Sequence, residues 1–291
     1  MSEPWGPAKS RRLLIGSTLC TLLLGLSIVL AKKGIERGRN EKYKITAIVQ
    51  TGPVKEALKT TYLAELLGLS AAAPEPLYGF NLKKGEAKLR ACPLIKEARL
   101  KRVPPSSLLV DYEVRRPIAY VGDYENTAID EEGSLFPVAP FLTPKRLPEI
   151  YLGLPEFVTW RLPLNHPRLS LAFELLHLFE ESAWKENFRI LRIDVSNAFA
   201  ETLGRREIVL MTEEELLVGS KVCVFPKLLR LPVKGYQKQL ANFQGLRESL
   251  IESYQKQLKP EYLKHQVTKF ESRIIDLRIA KLAFIENKGE R

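Results

Sequence analysis

Histidine and cysteine, on which much catalysis and metal binding is built, are scarce here: three of each in 291 residues. Cys20, Cys92 and Cys223 lie far apart, without the paired spacing of a zinc or iron–sulfur site. They read as small buried hydrophobes, and the sequence leaves a Cys92–Cys223 disulfide open. Phosphate-loop, His-Glu-x-x-His and Gly-x-Ser-x-Gly motifs are all missing. Of His166, His177 and His265, His177 sits among Leu175, Leu176, Leu178 and Phe179 and reads as a packed or surface side chain. Glu213, Glu214 and Glu215 read as a solvated turn, and Glu180 and Glu181 as a helix face. No residue is assigned to catalysis, to a cofactor or to a metal, and no small-molecule substrate is expected.

Long hydrophobic runs are also scarce; there is one. Leu13 to Ala31, LLIGSTLCTLLLGLSIVLA, is 19 residues without a charge. As a helix rising about 1.5 Å per residue it would span about 28 Å, close to a hydrocarbon core of about 30 Å. A cleaved signal peptide is the alternative, but the run exceeds an h-region of about 7–15 residues and Lys32 would follow the cut. The expectation is a retained transmembrane helix at 13–31, after a tail at 1–12 and before a linker at 32–42. The net charge is +11, and the nine Lys/Arg and three acids of residues 1–44 supply +6 of it. A nucleic-acid binder would carry its excess on a folded face; a basic flank around an apolar run suits anionic lipid headgroups. Counting charges on the two sides decides orientation poorly and slightly favours a cytoplasmic C-terminal side.

Over the whole chain, composition is that of globular protein: 45% hydrophobic and 27% charged. Tyr43 to Gln50 reads as a strand ended by Gly52 and Pro53. Val54 to Leu67 has apolar residues at helical spacing, with Gly68 as a stop. A second helix fits Lys83 to Ala91, with Ala87 and Leu89 inward. Strands at Ile95–Arg102 and Ser107–Val114 flank the Pro104–Pro105 turn. The order is β-α-α-β-β, a small sheet with two helices on one face. Further on, Tyr124 to Phe136 reads as a hairpin turning at Asp130 to Gly133. Arg168–Trp184 reads as an amphipathic helix. Phe188–Val195, Glu207–Met211 and Lys221–Phe225 read as strands, and a last helix begins near Tyr236.

Several short motifs occur in a particular order. Pro93, Ala98, Arg102 and Pro104 precede the apolar Leu108–Val110, then Arg115, Pro117 and Ala119. Asp130, Gly133 and Phe136 follow, then Leu147, Pro148 and Gly153, then Leu240, Ala241, Phe243 and Leu246, and finally Ile275, Asp276, Leu277 and Arg278. This order resembles the FtsQ/DivIB family of bacterial cell-division proteins over roughly residues 10–287. Val114 departs from it, where the family often has Glu. The resemblance implies an α+β chain: one N-terminal transmembrane helix, a POTRA-like domain at 43–116, a mixed β-rich domain with two helices at 117–287, and a tail at 288–291. It implies an inside N-terminus and an extracytoplasmic C-terminal part in the inner membrane at the septum. The implied role is a scaffold, not an enzyme, with FtsB/FtsL-type membrane proteins as partners, lipid around the helix and no nucleic acid. Other POTRA-bearing assembly or secretion factors, and a membrane-anchored envelope hydrolase, are the alternative classes.

The C-terminal end carries the expected partner surface. Ile275, Leu277 and Ile279 share one face of a strand. Leu282 and Phe284 carry the apolar phase on even numbers, which needs a turn or bulge near Ala280 and Lys281. Lys281 to Asn287 then forms a final strand, apolar on both faces at Leu282, Ala283, Phe284 and Ile285. A terminal strand with an open edge can accept a partner strand. The expected contact residues are Asp276, Leu277, Arg278, Ile279, Leu282, Ala283, Phe284 and Ile285, with Leu240, Phe243 and Leu246 of the last helix as a second contact.

Overall fold

A computed structural model describes residues 22–29, 32, 41–52, 56–155, 160, 163–181, 188–218, 221–257 and 267–287. The chain is α+β with mixed sheets and divides into two compact units, Met1–Val114 and Arg115–Arg291.

The expected transmembrane helix is not borne out. Among the described residues no helix is long and apolar enough to cross a membrane. Residues 22–29 and 32 are helical. The rest of the expected span, the tails at 1–12 and 288–291, Cys20, and residues 33–40 of the linker lie outside the described residues.

The first unit holds β1 (Ala47–Thr51), α1 (Thr60–Leu67), α2 (Leu82–Arg90), β2 (Ile95–Val103) and β3 (Ser107–Val114). The sheet order is β1-β3-β2; β1 runs parallel to β3 and β2 antiparallel to it. Helix α1 starts later than its apolar spacing suggests and stops at Gly68, whose φ of 76° is left-handed. Helix α2 is capped by Asn81, whose side chain accepts the Lys84 N–H at 3.0 Å. Its inward residues are Gly85 and Leu89, not Ala87. A Cβ on Gly85 would lie 2.6 Å from Leu100 Cδ1, so the glycine lets α2 sit directly on β2.

The second unit is built on one mixed sheet, ten-stranded among the described residues. It comprises β4 (Ala119–Val121), β5 (Thr127–Ile129), β6 (Leu135–Pro137), β7 (Glu149–Tyr151), β8 (Phe188–Asp194), β9 (Ile208–Val218), β10 (Lys221–Leu231), β11 (Val267–Lys269), β12 (Arg273–Asp276) and β13 (Phe284–Asn287). The order is β13-β12-β10-β9-β8-β7-β4-β5-β6, with β11 also on β10. The β5–β6 turn follows its sequence chemistry: Asp130 Oδ1 accepts the Glu132 and Ser134 N–H groups, and Gly133 takes φ 79°. Helices α3 (Pro167–Glu181) and α4 (Tyr236–Gln257) close one core with the sheet. Within it Phe179 stacks on Phe188 with centroids 5.8 Å apart, and Phe188 meets Phe243 at a tilt with centroids 6.2 Å apart. Cys92 and Cys223 are both free and buried.

Strands β9 and β10 run further than their apolar cores suggested. Glu213 and Glu214 are not a solvated turn: both are buried in β9, and Glu214 is fully enclosed. Cations make this tolerable. Lys227 of β10, itself fully buried, and Arg247 of α4 both bond Glu214. Arg189 and Lys269 hold Glu213. Burial alone would push the Glu213 carboxyl up, but those two cations hold it below its usual range. Pro226 does not end β10. The strand's parallel partner changes there, from β11 at Val224 to β12 at Lys227, so the missing N–H falls between two ladders.

Candidate functional site

The C-terminal segment forms one edge of the large sheet. The order places β13 outermost, antiparallel to β12, with Ile275 opposite Ile285 and Asp276 opposite Phe284. The chain reverses through a turn in which the Leu282 N–H reaches the Ile279 carbonyl at 3.2 Å. Lys281 takes the left-handed conformation there, φ 67°, at a position with neither Gly nor Asn. The final strand is accordingly Phe284–Asn287 rather than 281–287.

The direction of each edge group follows from one bond. The Leu277 N–H donates to the Arg230 carbonyl at 2.8 Å, so the odd-numbered residues of β12 turn their backbone groups to β10. The even-numbered ones, Ile274 and Asp276, turn theirs to β13 and meet Glu286 and Phe284. Ile285 therefore points its N–H and C=O away from the sheet. Around it the edge is apolar: Phe284 is 56% exposed, Ile285 47%, and Ile279 and Leu282 are similarly open. Ala283 is half-buried.

Ionic contacts brace this end. Asp276 accepts the Arg278 backbone N–H and both Nε and Nη2 of its side chain, the last at 2.7 Å. Arg230 approaches the same carboxylate at 3.5 Å, and Arg230 and Arg278 both bond Glu207. Partial burial tends to raise the Asp276 pKa, but the hydrogen bonds and charge of Arg278, with Arg230, hold it below its usual value. The bond to Asp276 raises Arg278 correspondingly. Glu207 and Arg230 have no sequence signal for this role; only the sheet register brings them to Asp276.

Beside the edge lies a groove of about 650 Å³, between Phe284 and Ile279 on one side and Phe199, Leu203 and Val233 on the other, with Arg206 among its walls. Leu203 is 78% exposed. Residues 198–206 and 232–234 were not among the expected contacts, since nothing in their local sequence links them to the C-terminus.

Not all expected contacts reach the surface. Leu240 and Phe243 are 2% and 0% exposed; they are core side chains, and Leu246 packs half-buried against the same core. The apolar stripe of α4 is turned to the sheet through Leu240 and Phe243, and Leu246 keeps part of its surface open. Leu277 is buried too. Among the described residues no group of three His, Cys, Asp or Glu side chains could hold a metal ion. His177 is exposed on α3.

No family model and no curated protein matches this chain.

Proposed function

We propose that the chain is a docking protein of the bacterial division machinery, with no catalytic role, and that a partner of the FtsB/FtsL type adds a strand to β13. One observation carries the docking mode: among the described residues β13 is an open edge, whose Ile285 N–H and C=O point outward between exposed apolar side chains. Main-chain bonds would supply affinity, and Phe284, Ile285 and Leu282 would supply apolar contact. The division role rests on the ordered motifs that resemble FtsQ/DivIB proteins, and implies a place at the cell envelope, at the septum and outside the cytoplasm.

Two tests address the two parts. Depletion in the native host should give filaments or blocked septa; normal division after complete depletion would remove the division role. For the docking mode, Ile285→Pro deletes an outward N–H without touching the β12–β13 ladder, so the fold should survive while partner capture falls. Phe284→Pro deletes an inward donor and should loosen β13 itself. Undiminished capture by a folded Ile285→Pro chain would place the contact elsewhere.

A further inference from the structure

One end of the first unit gathers cations around exposed aromatic and apolar groups. The chain arrives there at Glu41–Tyr43, a single 3-10 turn. The Tyr43 carbonyl accepts the Leu77 N–H at 2.8 Å, and the Tyr43 and Tyr78 rings meet edge-on at 5.6 Å. Arg102, near the end of β2, donates from Nε to the Leu77 carbonyl and from Nη2 to the Phe80 carbonyl, at 2.8 and 2.7 Å. That ties the tip of the β2–β3 turn to the 77–80 loop. Asn81 follows immediately as the cap of α2.

The cations at this end are Lys42, Lys44, Lys83, Lys84, Lys101 and Arg102, against the carboxylates Glu41, Glu75 and Glu86, the last of which accepts the Leu100 N–H beside Lys101 at 2.9 Å. Glu41 is engaged by Lys44. All but Lys44 of the cations are exposed. Between them lie Tyr78, 36% exposed, and Val103, 40% exposed, the latter beside the exposed Pro104 and Pro105. Two features speak against a merely soluble face. Helix α2 has no acid in its first turn and carries Lys83 and Lys84 there, where its dipole disfavours cations. And an accessible tyrosine among lysines, with an apolar turn tip, has the chemistry of groups that settle at a lipid headgroup layer, ring inward and ammonium at the phosphates.

We propose that this end of the first unit rests on an anionic phospholipid surface. Charge complementarity selects the occupant: the excess of cations provides long-range attraction to phosphate headgroups, and Tyr78 and Val103 provide shallow apolar contact. The contact is independent of the division role and of the β13 edge, and uses none of the residues assigned to that edge.

Lysine acylation footprinting of the full chain tests it locally. Protein is mixed with vesicles of phosphatidylcholine alone or of phosphatidylcholine with phosphatidylglycerol, and labelling of Lys42, Lys83, Lys84 and Lys101 is compared with that of the exposed Lys234 and Lys238 in the second unit. At low ionic strength, anionic vesicles should lower labelling of the first set about tenfold relative to zwitterionic ones, and high salt should abolish the difference. The triple variant Lys83→Gln, Lys84→Gln, Lys101→Gln should lose protection at Lys42. Equal labelling with both vesicle types would overturn the proposal, as would protection confined to Lys234 and Lys238. Equal protection by soluble polyphosphate at matched phosphate would also overturn it, assigning the patch to polyanions in general rather than to a lipid surface.

Discussion

Replacing Glu214 by Ala should be among the most damaging single changes in the second unit. Glu214 and Lys227 are both fully buried, on neighbouring strands β9 and β10, and Arg247 of α4 reaches the same carboxylate at 2.5 Å. Arg273 of β12 donates to Ser253 of α4 at 3.0 Å, so polar contacts also link that helix to the strand supporting the sheet edge. Burial pushes the Lys227 pKa down, against the opposing pull of Glu214. Removing the carboxylate that two cations share costs about 3–5 kcal/mol, because desolvation is no longer offset. That is a large part of a domain's total of about 5–15 kcal/mol. With m near about 2 kcal/mol/M, the urea midpoint of the second unit should fall by about 1.5–2.5 M. Circular dichroism during urea unfolding reads this directly. The triple variant Glu214→Leu, Lys227→Met, Arg247→Met should recover most of the loss, since apolar replacement of a buried ion triad is often neutral or stabilising. A shift under about 0.3 M for Glu214→Ala would refute the reasoning. So would a triple variant as unstable as the single one, which would indicate a packing defect rather than a charge defect.

Gly133→Ala should cost about 1–2 kcal/mol, because φ 79° is left-handed and the new Cβ would lie 3.2 Å from the Leu164 carbonyl; a thermal melt equal to wild type would exclude strain at that turn. Acid should destabilise the second unit through Asp276 and Glu213. Both carboxyls have lowered pKa values when folded, so their contribution is complete above about pH 5 and is lost as pH falls through the folded values. Melting temperature against pH should show this acid limb, flatter in Asp276→Asn; identical limbs in the two proteins would remove Asp276 as a cause.

Local chemistry made much of the chain legible. Gly68 stops α1, the two prolines at 104 and 105 separate β2 from β3, and Asp130 and Gly133 make the turn between β5 and β6. Each acts through its own backbone or that of residues within four positions, so sequence order alone suffices. Apolar spacing likewise marked α3 as a helix with one buried stripe.

What depended on partners distant in sequence was decided only by the tertiary structure. Glu213 and Glu214 look solvated until Lys227, Arg247, Arg189 and Lys269 are brought beside them. Pro226 looks like the end of a strand until two parallel partners leave a gap at it. Leu240 and Phe243 are apolar whether they face a partner or the core, and packing alone chose the core. The outward direction of the Ile285 N–H has the same origin. Side-chain alternation belongs to the strand itself, but which edge stays open depends on how ten strands are ordered in space.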